Sequence, residues 1–325
     1  MVFEKFTTQR TLIRMCLLSV LVFMFGVLLQ ADEEDKIETR IKNIQAEIQK
    51  RGCSFTVGRT NMSHLQLEKL CGLKEPKDWR KKGKFDGGLK TDLRSIGLPA
   101  SWDWRDYGCV TPVKKQGLCP TCWAFGTIGA YEAAISCIHH GPLVDLSEQY
   151  LIDCNSHKPK KYGCATGGWW DFDDMHKGVP FEDCYPYECF NRLCFDGSCK
   201  TGCPGHFPVY TWYYVGNPAG IPDTDSIKVA IWTHGPVVAG VCVDLPFWFY
   251  TGGIFDWCDG CDCMNHAIVI VGWNDNGGYW IIKNSFGFDW GEEGYMRIKY
   301  GCCKVGYGAA YAIPIMDRKI KKQQQ

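Results

Sequence analysis

"QGLCPTCWAFG", residues 116–126, holds a Cys-x-x-Cys pair, Cys119 and Cys122, followed at once by a tryptophan and small and apolar residues. Three chemistries use that spacing: a redox couple, half of a metal site, or a structural half-cystine beside a reactive thiol. A thioredoxin-like couple would follow a strand, whereas the preceding "VTPVKKQGL" is loop-like. A zinc site needs further ligands, for which "CDGCDCMNH", Cys258 to His266, offers candidates. Half-cystines in an oxidising compartment account for the same spacing with fewer requirements. The segment from Cys122 to His140 reads as a helix carrying Ala124, Phe125, Ile128, Ala133, Ala134 and Ile135, ended by Gly141-Pro142. A thiol in the first turn of a helix lies at the positive end of the dipole, which favours thiolate, and thiolate is the nucleophile. Cys122 has that placement.

The rest of the chain bounds the choice. Lys5, Arg10 and Arg14 precede an apolar run from Met15 to Leu29, so residues 1–30 read as a secretory signal peptide, with an uncleaved signal anchor as the rival. Entry into that pathway makes the 20 cysteines interpretable as disulfide partners. Seventeen of them lie from residue 98 onward, an odd number that leaves at least one thiol unpaired, for an intermolecular link or for chemistry. The formal charge of zero hides an asymmetry. Residues 31–97 carry 15 Lys/Arg against 11 Asp/Glu, and residues 98–325 carry 18 against 24. The basic part is short and mixed with acids, which argues against nucleic acid as a partner. No cofactor and no metal is expected.

Ile37, Ile41, Ile44 and Ile48 recur at helical spacing and predict an amphipathic helix over roughly 33–50. "KEPKDWRKKGKFDGG" is a basic, Gly-rich, aperiodic connector, and Asn61-Met-Ser63 is a glycosylation acceptor by sequence. From "LPASWDWRDYG" the texture becomes dense in Gly, Trp and Cys, which places a boundary near Leu98. Ser147 can cap a second helix, "EQYLIDC". Beyond about residue 205, "GPVVAGVCV", "HAIVIVGW", "GYWIIKN" and "GYMRIKY" read as strands. Helices first and strands second predict an α+β fold: a helical lobe over about 98–205, a β lobe over about 206–315, and an interface between them.

A nucleophile needs a base, and the base needs an orienting group. His266 opens one apolar strand and Asn284 follows the next, so both are expected at one sheet edge facing the helix tip. At these residues the sequence resembles the papain-like cysteine peptidases. The likeness runs from about Leu98 to Pro314 through "DWRDYGCVTPVKKQG", "CWAFG", "LSEQYLIDC", "YGCATGG", "YPYE", "GGIF", "NHAIVIVGW", "KNSFG" and "DWGEEGYMRIK". In papain and the cathepsins, His and Asn follow the cysteine by about 130–150 residues; here the intervals are 144 and 162. The resemblance implies a two-lobed fold with a barrel-like β lobe and a cleft between the lobes. It implies Cys122 as nucleophile, His266 as base and acid, Asn284 as holder of the imidazole, and Gln116 as oxyanion donor beside the Cys122 N–H. Fixed donors of that kind are worth about 3 to 4 kcal/mol each. It also implies disulfides Cys119–Cys164 and Cys154–Cys194, and one from the 258–263 cluster to Cys302 or Cys303. With Cys122 unpaired, 16 cysteines remain after residue 98, an even number that full oxidation would pair.

Three departures stand out. Pro120-Thr121 replaces the family's usual Gly-Ser and removes an N–H from the cleft wall; Phe286 replaces a shielding tryptophan, while Trp290 keeps its place; and "CATGG" is one residue longer than usual. Gly167 and Gly168 are the expected peptide-backbone contacts. Trp169, Trp170, Gly240, Met264 and Gly308 are the expected lining of an apolar specificity pocket, suited to a bulky hydrophobic side chain two residues before the cut. The preceding 67 residues, 31–97, are expected to be an inhibitory pro-region of the short cathepsin B kind. No pair of adjacent histidines stands in the Cys-rich 184–206 stretch, so endopeptidase rather than carboxydipeptidase activity is expected. Protein and peptide substrates, a monomeric state, and a lysosomal, vacuolar or extracellular destination complete the expectation, with membrane contact only through an uncleaved leader. The rival functions are a catalytically silent homologue acting as a secreted binding protein and a disulfide oxidoreductase.

Overall fold

The computed structural model describes residues 24, 27, 30–88, 97–157, 162–188, 197–218, 220–259 and 263–316. The expected leader lies almost wholly outside them, and no helix among the described residues is long and apolar enough to cross a membrane. Helix α1, residues 30–51, follows the isoleucine stripe: Ile37, Ile41 and Ile48 are buried and Ile44 is partly so. Helix α2, Cys122–Ala133, is buried on every side, as expected of a helix without a polar face. The chain leaves it through a π-helical turn over Ala134–Ile138 instead of continuing as α-helix to His140. Helix α3, Glu148–Cys154, starts where the Ser147 side chain accepts a hydrogen bond from the Tyr150 N–H. Helix α4, Thr224–His234, has no counterpart in the sequence reading; Asp223 caps it through the Ser226 N–H.

Among the described residues nine strands form the sheet: β1 Phe55–Val57, β2 Ser101–Asp103, β3 Val209–Tyr214, β4 Val237–Val241, β5 Tyr250–Phe255, β6 His266–Asn274, β7 Tyr279–Lys283, β8 Tyr295–Lys299 and β9 Tyr307–Pro314. Their order is β1-β5-β8-β7-β6-β4-β9-β3, with β2 paired to β6. All pairs are antiparallel except β5 with β8. The path is open and does not close into a barrel. Strand β1 comes from the N-terminal segment, so that segment is built into the sheet.

The fold places the cleft by two simple constraints. In the antiparallel pair β6–β7, the residue that opens β6 and the residue that follows β7 share an edge; these are His266 and Asn284. Helix α2 then presses its first turns onto β4 and β6. A Cβ on Gly126 would stand 2.9 Å from Val238 Cγ2 and 3.3 Å from Ala267 Cβ, so the lack of a side chain there sets the approach.

Disulfides link Cys109–Cys137, Cys119–Cys164, Cys154–Cys199, Cys184–Cys203 and Cys258–Cys302. The Cys119–Cys164 and Cys258–Cys302 expectations hold. The Cys154–Cys194 expectation does not: Cys194 lies outside the described residues, and Cys154 is bonded to Cys199, Cα to Cα 4.7 Å. The cause is local. The segment carrying Cys199 is docked on α3 by Gly197 N–H to Asp153 Oδ1 at 2.9 Å and by Lys200 N–H to Tyr185 Oη at 3.1 Å. Full pairing after residue 98 also fails, because Cys263 and Cys303 are thiols alongside Cys122. Cys258 is consumed by its bridge, which removes it from any zinc site in the 258–266 cluster.

Candidate active site

Cys122 is the first residue of α2 and is fully buried, as is His266 at the start of β6. The backbone N–H groups of Ala267, next to His266, and of Gly72 in the N-terminal segment lie toward the Cys122 sulfur and oppose the upward push of burial on its thiol. The His266 Nε2 stands 2.8 Å from Asn284 Oδ1. That oxygen also accepts the Ser285 N–H at 2.8 Å, which fixes the orientation of the amide. The Nε2 must therefore carry the proton when the ring is neutral, which leaves Nδ1 with its lone pair free. Nδ1 is buried and has no hydrogen-bond partner among the described residues. Phe286, fully buried, covers this pair with its ring centroid 4.6 Å from that of His266, and Trp290 meets Phe286 edge-on at 5.5 Å. A phenyl ring thus does the shielding expected of a tryptophan.

Gln116 is placed by groups with no obvious sequence signal. Its Oε1 accepts from Ser285 Oγ at 2.7 Å, and its backbone carbonyl accepts from Tyr187 Oη at 2.6 Å. Tyr187 Oη also lies 2.8 Å from Thr121 Oγ1, beside the cysteine. With Oε1 occupied, Nε2 is the end that points into the cleft, where it donates to the carbonyls of Leu70 at 3.0 Å and Cys119 at 2.8 Å. Below the site, Lys283, the residue before Asn284, donates to Thr111 Oγ1 at 3.0 Å, and Thr111 donates to Glu132 Oε2 of α2 at 2.6 Å. Burial pushes the Lys283 ammonium down to about 8. Lys114 bridges Glu132 and Glu148, 2.9 and 2.8 Å away, tying α2 to α3.

The N-terminal segment lies across these groups. Gly168 N–H donates to Gly72 O at 2.9 Å, Lys74 N–H to Gly168 O at 2.8 Å, and Leu73 N–H to Asn265 O at 3.0 Å. A Cβ on Gly72 would stand 1.9 Å from the Pro120 carbonyl oxygen, so only glycine fits there. The segment presents a carbonyl, Leu70 O, to Gln116, but an N–H, that of Gly72, to the sulfur. The Leu70 carbonyl and the Gly72 N–H belong to two successive peptide units. Burial under this cover pushes the Cys122 thiol up to about 11 and the His266 imidazole down to about 4, so the covered pair is neutral. Farther along, Trp79 sits among Phe85, Trp169, Tyr214 and Tyr307, with its Nε1 donating to Glu75 Oε1 at 2.6 Å. The Asn61 side-chain nitrogen, where a glycan would attach, donates to Phe286 O at 2.7 Å, so it is committed in the folded chain.

The expected pocket residues come together. A Cβ on Gly308 would meet Trp169 at 2.9 Å and Trp170 at 3.0 Å, and one on Gly240 would meet Met264 at 3.0 Å. Gly240 is registered against Tyr307 in the sheet. Trp290, also expected to meet substrate, packs against Phe247, Tyr250 and Phe286.

The description "Papain family cysteine protease" matches residues 98–313. The chain belongs to that family. Cathepsin S of Rattus norvegicus is 33% identical over 258 residues, 75% of this chain and 73% of that protein. Procathepsin L of Mus musculus is 35% identical over 247 residues, 70% of this chain and 69% of its own. Among solved structures, the digestive procathepsin L2 proteinase from Tenebrio molitor larval midgut superposes with a TM-score of 0.70 at 30% identity, covering 86% of this chain and 90% of that one. The protein is a papain-like cysteine protease with the α+β fold of that family, and its likeness to proenzymes marks it as a zymogen. Peptides are its substrates and its own pro-region is an inhibitor. Its disulfides fit the oxidising secretory pathway.

Proposed function

We propose that this papain-family protease is an endopeptidase whose thiolate is Cys122, whose acid and base is His266, and whose orienting amide is Asn284. In the uncovered cleft, His266 Nδ1 takes the Cys122 proton, and the resulting imidazolium is stabilised by Nε2–H donating to Asn284 Oδ1. The thiolate attacks the substrate carbonyl carbon, and the oxyanion receives the Cys122 N–H and the Gln116 Nε2–H. The imidazolium then gives its proton to the leaving amine, leaving a thioester that water hydrolyses with His266 again as base. The observation that carries this reading is the imidazole held through Nε2 with Nδ1 unpartnered, while the Cys122 sulfur contacts the residue next to it.

Residues 31–97 act as the inhibitory pro-region and 98–325 as the peptidase. Gly167 and Gly168 hold the peptide backbone, a role supported by the hydrogen bonds of Gly168 to Gly72 and Lys74. The apolar lining by Trp169, Trp170, Gly240, Met264 and Gly308 supports a hydrophobic side chain two residues before the cut. Processing removes the leader and sends the enzyme to a lysosome or vacuole, or outside the cell. The test is to treat the acid-activated protein with an epoxide or vinyl-sulfone thiol trap and locate the adduct by mass spectrometry; modification elsewhere than Cys122 refutes the assignment. Peptides with free and blocked C-termini test the endopeptidase reading, which fails if only the free form is cut efficiently.

A further inference from the structure

Away from the cleft, on the helical lobe, one imidazole and two carboxylates converge. His157 follows α3, while Asp171 and Asp174 lie on the turn after the Gly167–Trp170 wall; one donor atom from each lies within 4.8 Å of the other two. The hydrogen bonds around them are incomplete in a particular way. Asp174 Oδ2 accepts the Ser156 N–H at 2.6 Å, and Asp171 Oδ1 accepts the Asp174 N–H at 3.3 Å. The second oxygen, Asp171 Oδ2, is buried without a partner among the described residues on a residue only 1% exposed, and His157 Nε2, which makes no hydrogen bond there, lies 3.3 Å from Asp171 Oδ1. An unsatisfied buried carboxylate oxygen is costly unless something cationic meets it. The His157 ring is held for such a role, stacked on Tyr162 at 3.7 Å.

We propose that His157, Asp171 and Asp174 form a site for a divalent transition-metal ion of the zinc class. One neutral imidazole nitrogen with two carboxylates matches the borderline character of Zn2+, whereas Ca2+ and Mg2+ favour all-oxygen shells. Two negative charges on the protein balance one dication. Tetrahedral zinc with bonds of about 2.0–2.2 Å spaces its donors about 3.3–3.6 Å apart, so three atoms that lie within 4.8 Å of one another must close by up to roughly 1–1.5 Å on binding. Water completes the shell on the side where His157 is one-third exposed. The ion would pin the loop after α3 to the segment that follows Gly167 and Gly168, making the substrate-facing wall stiffer in the loaded protein.

The test uses the full chain carrying Cys122→Ala, which removes the thiol that would otherwise compete for metal. Titration with Co2+, followed by displacement with Zn2+, is read by visible absorption, by stoichiometry and by thermal unfolding. One Co2+ per chain is expected, with ligand-field bands of a nitrogen and oxygen site, no thiolate charge-transfer band, and a raised Tm. His157→Ala and Asp174→Asn, both at the less buried positions, should each weaken binding at least tenfold and abolish the Tm rise. Asp171→Asn is avoided because its burial risks the fold. No binding by the parent would overturn the proposal, leaving His157 and Asp171 as an ion pair. So would unchanged affinity in both variants, a thiolate band placing the metal on Cys53, Cys263 or Cys303, or Ca2+ competing as well as Zn2+.

Discussion

Trp79→Ala should open the zymogen. Trp79 is 5% exposed, and its ring lies 4.6 Å from Tyr214, 5.6 Å from Trp169, and 5.9 Å from both Phe85 and Tyr307. Its indole nitrogen is bonded to Glu75, which also accepts from Tyr307 Oη at 2.6 Å. Truncating a buried aromatic of this size costs about 3–5 kcal/mol. Here the lower end applies, since water can refill a groove that stays open at its rim. The loss falls on the docking of residues 70–86, because Trp79 is their only fully inserted aromatic among the described residues. At about 1.4 kcal/mol per decade, 3 kcal/mol raises the open population roughly 100-fold. The assay is the rate at which a thiol-directed trap modifies Cys122 in the uncut full chain at neutral pH, where the cover limits access. Lys77→Ala, at an exposed position of the same segment, should leave the rate unchanged. A rise of less than about threefold in Trp79→Ala would refute the idea that this aromatic seat holds the cover down.

Acid should loosen the same cover. His266 is driven down to about 4 while covered and returns toward an ordinary imidazole value near 6.5 once exposed. The open form thus binds a proton that the closed form refuses, and the closed form's advantage, at most about 3 kcal/mol, is complete above pH 6.5 and lost as the pH falls toward 4. Limited proteolysis of the Cys122→Ala chain should accelerate across that window, and a flat profile from pH 7 to 4.5 would count against it. Ser285→Ala should lower kcat/KM of the activated enzyme about tenfold through kcat, with KM little changed, because Gln116 loses the hydroxyl that aims its Nε2; an effect confined to KM would contradict that role. Peptide mapping under non-reducing conditions should recover Cys154 joined to Cys199, and a Cys154–Cys194 peptide would overturn the pairing. Gly72→Ala should mimic Trp79→Ala in the trapping assay, since its Cβ has no room against Pro120; trapping at the parental rate would show that the segment adjusts.

What the sequence made legible follows from how far apart the deciding contacts are. Cys122, His266 and Asn284 are each tied to the end of an element whose periodicity can be read locally, and an antiparallel pairing of two neighbouring strands suffices to bring the last two together. Ser285 and Tyr187 act through hydrogen bonds to Gln116 across 169 and 71 residues, and nothing in their own neighbourhoods announces this. Cys154 could not be paired from spacing because the Cys-rich stretch offers several half-cystines within reach, and docking onto α3 chooses among them. The strands β1, β2, β3, β5 and β9 went unread for a related reason: they gain their ladders from partners distant in sequence.

The path of residues 70–74 was the least legible, since an extended, aperiodic segment takes its shape from the groove that receives it. Yet one departure from the family pattern becomes intelligible only through that segment. Pro120 gives up an N–H on the cleft wall, and its ring fixes the backbone so that the carbonyl projects against the chain crossing at Gly72. A residue with a side chain could not cross there, whereas glycine can bring its own N–H onto the Cys122 sulfur and its carbonyl onto Gly168. Pro120 and Gly72, 48 residues apart, are two halves of one fit. On the proposed reading, that fit lays the Gly72 N–H toward the Cys122 sulfur. If Cys122 and Gln116 act as proposed, inhibition requires no special inhibitory group: ordinary peptide covers them, its carbonyl on Gln116 and its N–H toward Cys122 coming from two successive peptide units.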